Sequence, residues 1–154
     1  MAKEIERKFL VSGDAWRGSS PGTRIRQGYL SSQRERTVRV RSAGGKGTLT
    51  IKGKSRGATR DEFEYEIPAA DADVLLDQLC ERPLVEKTRH RVPFGGRTWE
   101  VDVFEGDNSG LVVAEVELSD EEEPVEIPPW VSQEVTRDAR YFNSNLARHP
   151  FRTW

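Results

Sequence analysis

Eight segments of this chain alternate charged with apolar residues, and nothing else in the sequence constrains the fold as tightly. Successive side chains on a strand point to opposite faces, so a period of two sorts residues onto two surfaces. Over residues 3–11, Glu4, Glu6 and Lys8 share one face while Ile5, Arg7 and Phe9 share the other. The same sorting predicts strands at 24–30, 37–41, 48–52, 60–67, 85–92, 97–104 and 111–118. Glycine-containing turns at 44–47, 95–96 and 106–110 separate several of them, and 31–35 reads as a further turn. Short strands joined this way predict an antiparallel sheet that closes into a barrel of about eight strands.

Two segments break the pattern. Residues 69–82 read as a short amphipathic helix with Val74, Leu75, Leu79 and Cys80 inward, Asp71 as N-cap and Pro83 beyond its end. The tail, 132–148, reads as a C-terminal helix with Val135, Ala139, Tyr141, Phe142 and Leu146 as contacts. It would either close one barrel mouth or cover outer barrel surface. The 154 residues are expected to form one domain, 1–154.

Which face of the barrel is charged decides the function. Only 35% of the residues are hydrophobic and 32% are charged, yet the net charge is −2. That balance argues against nucleic-acid binding. One cysteine excludes an internal disulfide and a thiolate zinc cluster, and His90 and His149 are too few for a histidine metal site. No leader pattern or apolar run of about 18 residues is present, so no membrane contact and a cytoplasmic location are expected.

The charges are sorted by strand. Lys8, Arg39, Arg41, Lys52, Lys87, Arg89 and Arg91 come largely from strands of their own, and the pairs Glu62/Glu64, Glu100/Asp102 and Glu115/Glu117 from others. Like charges two apart on a solvated strand gain nothing from such grouping. Opposed walls of one cavity that holds both cations and a polyanion would gain. Clustered carboxylates without thiolate or imidazole suit Mg²⁺, Mn²⁺ or Ca²⁺, and an Arg/Lys wall suits phosphate oxygens. His90 falls on the opposite, outward face.

These residues carry a resemblance. The run from Glu4 to Val11 resembles the N-terminal ExExK signature of the CYTH superfamily, the triphosphate tunnel metalloenzymes. Seven later blocks agree in order, including 27–30, 38–41, 50–52, 86–89 and 115–117, so the resemblance covers nearly the whole chain. It implies a closed eight-stranded barrel with a charged tunnel. It also implies divalent-metal-dependent hydrolysis of inorganic triphosphate to diphosphate and phosphate, with one or two Mg²⁺ or Mn²⁺ ions.

Carried over by position, Glu4, Glu6, Asp102, Glu115 and Glu117 become metal-site candidates. Glu62 and Glu64 become further acidic lining, while Arg39, Arg41, Lys52, Lys87 and Arg89 bind triphosphate. Lys8 would orient water or a terminal phosphate, Glu4 or Glu115 would take a proton from water, and Tyr29 would gate a tunnel end. Arg91 and Glu100 would sit at a mouth. An organic triphosphate as substrate, and a polyphosphate-binding module without activity, are the alternatives. A homodimer would cover the outward apolar face.

Overall fold

The computed structural model describes residues 3–18 and 20–154. The eight expected strands occur in order: β1 (Lys3–Val11), β2 (Thr23–Gln33), β3 (Arg36–Ala43), β4 (Lys46–Gly53), β5 (Thr59–Ile67), β6 (Val85–Phe94), β7 (Arg97–Phe104) and β8 (Val112–Glu117). They pair antiparallel in the ring order β1-β5-β4-β3-β2-β6-β7-β8. Pairing of Lys3, Glu4 and Ile5 with Asp61, Arg60 and Thr59 closes the barrel.

The largest departure of the strand ends from the sequence reading is in β2. β2 runs to Gln33, so the turn expected at 31–35 contracts to Arg34 and Glu35. A register shift between Tyr29 and Ser31 admits the extra residues. At 44–45 and 95–96 the hairpins turn on two glycines each, all with positive φ (56° and 81°, then 61° and 75°). Such turns match the twist of the flanking strands, and only glycine adopts them without strain.

The tail departs further. Instead of one helix it forms a ninth strand, β9 (Val131–Glu134), a 3₁₀ turn at Ala139–Tyr141 and a six-residue helix, α2 (Asn143–Arg148). β5 leaves the edge of β1 after Ile5, and β9 takes up that edge at Phe9 and Val11. Otherwise the free backbone groups there would be exposed as an open edge.

Apolar residues pack in three places, two of them outside the barrel. Phe9, Trp99, Val101 and Val116 on the outer faces of β1, β7 and β8 lie under Trp16 and Trp130 from the long connections. On the other side, Val40 packs under the helical segment 69–79 with Ala72, Leu76 and Cys80. That segment is α1 (Ala69–Val74) followed by a wider π turn over Leu75–Leu79. The π turn moves the buried stripe to Ala72, Leu76 and Cys80 and leaves Val74 and Leu79, expected inside, exposed. Pro68 rather than Asp71 occupies the N-cap, with Asp71 in the first turn beside the positive helix end. Gly28 admits this close approach, since a Cβ there would lie 2.6 Å from Leu84 and 2.9 Å from Cys80.

The third cluster fills one end of the barrel. Tyr29, Val85, Phe104 and Val113, all with inward parity, meet Tyr141, Leu146 and Ala147 of the tail. The C-terminal helix therefore closes a mouth of the barrel. On the outer face of β4 and β5, Ile51, Phe63 and Tyr65 remain exposed. Among the described residues no helix is long and apolar enough to cross a membrane.

Candidate active site

From the apolar end outward, inward positions change from apolar to charged along four of the strands. β6 runs Val85, Lys87, Arg89, Arg91; β7 runs Phe104, Asp102, Glu100; β8 runs Val113, Glu115, Glu117; β1 runs Leu10, Lys8, Glu6, Glu4. The result is a blind tunnel of about 300 Å³ whose surface is almost wholly polar.

Every site residue expected from the sequence lines this tunnel except Asp102. Glu4, Glu6, Lys8, Glu115 and Glu117 come from β1 and β8, while Lys52, Glu62 and Glu64 come from β4 and β5. Arg39 and Arg41 come from β3, Lys87 and Arg89 from β6, and Tyr29 from β2 at the closed end. Arg91, with a largely exposed side chain, stands with Glu100 at the open mouth, 3.9 Å apart. Asp102 lies beneath the lining.

Three charge groupings differ in how completely they cancel. In the first, the Asp102 carboxylate accepts from Lys87 Nζ at 2.7 Å and from Arg89 Nε and Nη2 at 2.8 and 2.9 Å. Burial would raise its pKa, but Lys87 and Arg89 outweigh burial and hold it far below the ordinary range. In the second, Glu4 accepts from Lys52 Nζ at 2.9 and 3.0 Å, with Arg60 Nε at 3.4 Å. Burial again opposes ionisation, and Lys52, a hydrogen bond from Glu62 and Arg60 overcome it. Burial and then Glu4 push the Glu62 pKa up to about 7.

The third grouping does not cancel. Glu6 and Glu117 are directly opposed on β1 and β8. Burial, then Glu115 and Glu4, pushes the Glu6 pKa up to about 8. Glu117 is also raised, by burial and then by Glu4 and Glu100. Neither has an ion-pair partner among the described residues. Glu115 on the same wall is held low: burial opposes its charge, but Lys8 at 3.7 Å, Arg89 and Lys87 together outweigh it.

Across the ring, Arg39 and Arg41 on β3 are the matching excess of positive charge. Arg41 donates from Nε and Nη2 to Gln27 Oε1 at 2.9 and 2.8 Å, a neutral partner. Burial, then Arg39 and Arg89, lowers its pKa to about 9. Arg39 reaches only Thr50 Oγ1 at 3.4 Å, and its buried Nε has no acceptor. A buried guanidinium without an acceptor is costly unless an anion completes it.

The sequence reading missed three residues here. Asn143, at the start of α2, accepts through Oδ1 from Gln27 Nε2 at 2.9 Å and from Lys87 Nζ at 3.0 Å. The Phe142 ring lies 5.7 Å from both Lys8 Nζ and Arg60 Cζ. Lys8 Nζ also donates to the Tyr141 carbonyl at 3.1 Å. Arg60 shares the parity of Glu62 and Glu64, which could have placed it; nothing local marks Asn143 or Phe142.

Among the described residues, no three acidic, histidine or cysteine side chains already stand together as a metal-ligand group. By chemistry, Glu6 and Glu117 nevertheless fit a hard divalent cation. They are oxygen donors on directly paired strand positions, both raised in pKa by burial and neighbouring carboxylates, and neither in an ion pair among the described residues.

Comparisons with known proteins agree with this geometry. The family model described as "CYTH domain" matches residues 2–151. An inorganic triphosphatase of Acetivibrio thermocellus is 50% identical over 154 residues, covering 100% of this chain and 99% of that protein. One of Nitrosomonas europaea is 38% identical over 149 residues, covering 94% of this chain and 96% of the other. A crystal structure of an inorganic triphosphatase superposes with a TM-score of 0.69 at 36% identity, covering 96% of this chain and 95% of that one. By family match, relatives and barrel alike, the chain belongs to the CYTH domain family.

Proposed function

We infer that the protein hydrolyses inorganic triphosphate to diphosphate and phosphate inside the barrel, with a divalent cation, Mg²⁺ or Mn²⁺, as cofactor. The observation that carries this reading is the pair of uncancelled charge groups facing each other across the tunnel. Arg39 and Arg41 lack an anion and Glu6 and Glu117 lack a cation. A metal-bound triphosphate supplies both.

Arg39 and Arg41 bind phosphate oxygens, aided by Arg89 and by Lys87, whose ammonium Asp102 and Asn143 hold in place. Lys8, fixed by the Tyr141 carbonyl and Glu115, reaches the same space from β1. Glu6 and Glu117, with Glu4 and Glu115 beside them, hold one or two cations, which when bound neutralise phosphate charge and lower the pKa of a bound water. Water oxygen joins the terminal phosphorus as its proton passes to a phosphate oxygen, the bridging P–O bond breaks, and diphosphate leaves. Catalysis of this kind rests on position and charge rather than on a covalent nucleophile. Glu4 and Glu115, nominated by the sequence as proton acceptors, are both held below the ordinary carboxylate range. That favours holding a cation over acting as a base.

The lining favours the bare inorganic chain over an organic triphosphate. Tyr29 is the one aromatic residue among those that line the tunnel, and Phe63, Tyr65 and Trp99 face outward. The test is phosphate release from inorganic triphosphate, thiamine triphosphate and ATP with Mg²⁺, Mn²⁺ or EDTA. Release from inorganic triphosphate that EDTA abolishes is expected. Preference for an organic substrate, or release that survives EDTA, would overturn the reading.

A further inference from the structure

A second cavity, about 480 Å³, lies behind the closed end of the tunnel, between the β2–β3 turn, the β4–β5 loop and the tail. Four arginines line it: Arg34, Arg60, Arg137 and Arg148. No carboxylate does, in a chain with 26 acidic residues. Arg34 and Arg148 have no ion-pair partner among the described residues. Arg137 feels Glu121 and Glu134, but these line a neighbouring depression rather than this cavity. Ser55 and Ser144 add hydroxyls to the wall.

Convergent guanidinium groups repel one another, and a concave surface of one sign concentrates counter-ions. A small void of about 20 Å³, room for roughly one water, shares Phe142 with the outer cavity and Glu4, Glu6 and Lys8 with the tunnel. Arg60 lines all three. The proposed reaction liberates phosphate in the tunnel close by.

We propose that this outer cavity is a second oxyanion site that binds phosphate groups through Arg34, Arg137 and Arg148. The phosphate is either free inorganic phosphate or the end group of a linear polyphosphate. Neither source requires hydrolysis in the tunnel.

The test is calorimetric titration of inorganic phosphate and of linear tetraphosphate into the full chain in EDTA, where no turnover complicates binding. Native protein is compared with the double variants R34A/R148A and R34K/R148K. Both arginines are exposed, so melting temperature and triphosphate turnover should be unchanged in all three. The alanine variant should lose about tenfold or more in affinity for at least one anion, and the lysine variant should recover most of it. Loss for phosphate marks a free-standing phosphate site, and loss for tetraphosphate alone marks a site for the end group of a polyphosphate. Unchanged affinity for both anions would overturn the proposal, as would an equal loss of triphosphate turnover. Because binding is read without hydrolysis, failure here is distinct from failure of the hydrolase reading.

Discussion

Two walls of one tunnel carry carboxylates of the same type and put them to opposite use. On the β6–β7 wall, Asp102 is clasped by Lys87 and Arg89 and its charge is spent within the protein. On the β1–β8 wall, Glu6 faces Glu117 and burial raises the pKa of both. A buried group that cancels itself positions its neighbours. One that repels itself is complete only with something bound.

The largest expected effect breaks the first wall. Asp102→Asn leaves two buried cations without their counter-charge and should cost about 3–5 kcal/mol of stability, measured by denaturant unfolding. A loss near zero would mean that the ion pairs of this wall are not what holds it. Next, Arg39→Ala and Arg41→Ala should each raise KM for triphosphate by about tenfold or more, with little change in melting temperature, since neither has a carboxylate partner to strand. A fall in stability with unchanged KM would assign them to the fold instead.

Asn143→Ala sharpens the contrast at the tunnel's end. Gln27 and Lys87 lose a shared acceptor, so a loss of about 1–3 kcal/mol in unfolding free energy is expected. A further effect is a pH slope. Glu6 and Glu62 have folded pKa values of about 8 and about 7, above the ordinary 4.5, so the metal-free folded state binds more protons than the unfolded state between those limits. Stability therefore falls as pH rises from about 5 to about 6, above which buried Lys87, lowered to about 7, begins to oppose the fall. The depressed Asp102 acts only below its ordinary 3.8, outside that window. Melting curves in EDTA across the window should slope downward, and Glu6→Gln should flatten them.

Period-two sorting carried most of this into view from sequence. It placed all eight barrel strands and put the charged face inside, because parity is fixed by backbone geometry. Parity does not say which neighbour a side chain reaches, so Asp102 counted as an equal of Glu6 although Lys87 and Arg89 claim it. The tail was illegible for a different reason. β9 spans four residues and forms because β1 has an open edge, a tertiary cause with no local pattern. Asn143 and Phe142 enter the site only because that tail folds across the barrel mouth. Arg60 sat in plain parity with Glu62 and marks the limit of reading motifs rather than faces.

The most direct test of the contrast between the walls is Glu6→Gln, with triphosphate turnover and metal-free melting temperature measured on the same preparation. Turnover with Mg²⁺ should fall by about a hundredfold or more while the melting temperature in EDTA holds or rises, because the amide relieves the repulsion at Glu6. Activity and melting temperature falling together would mean that Glu6, like Asp102, belongs to the fold.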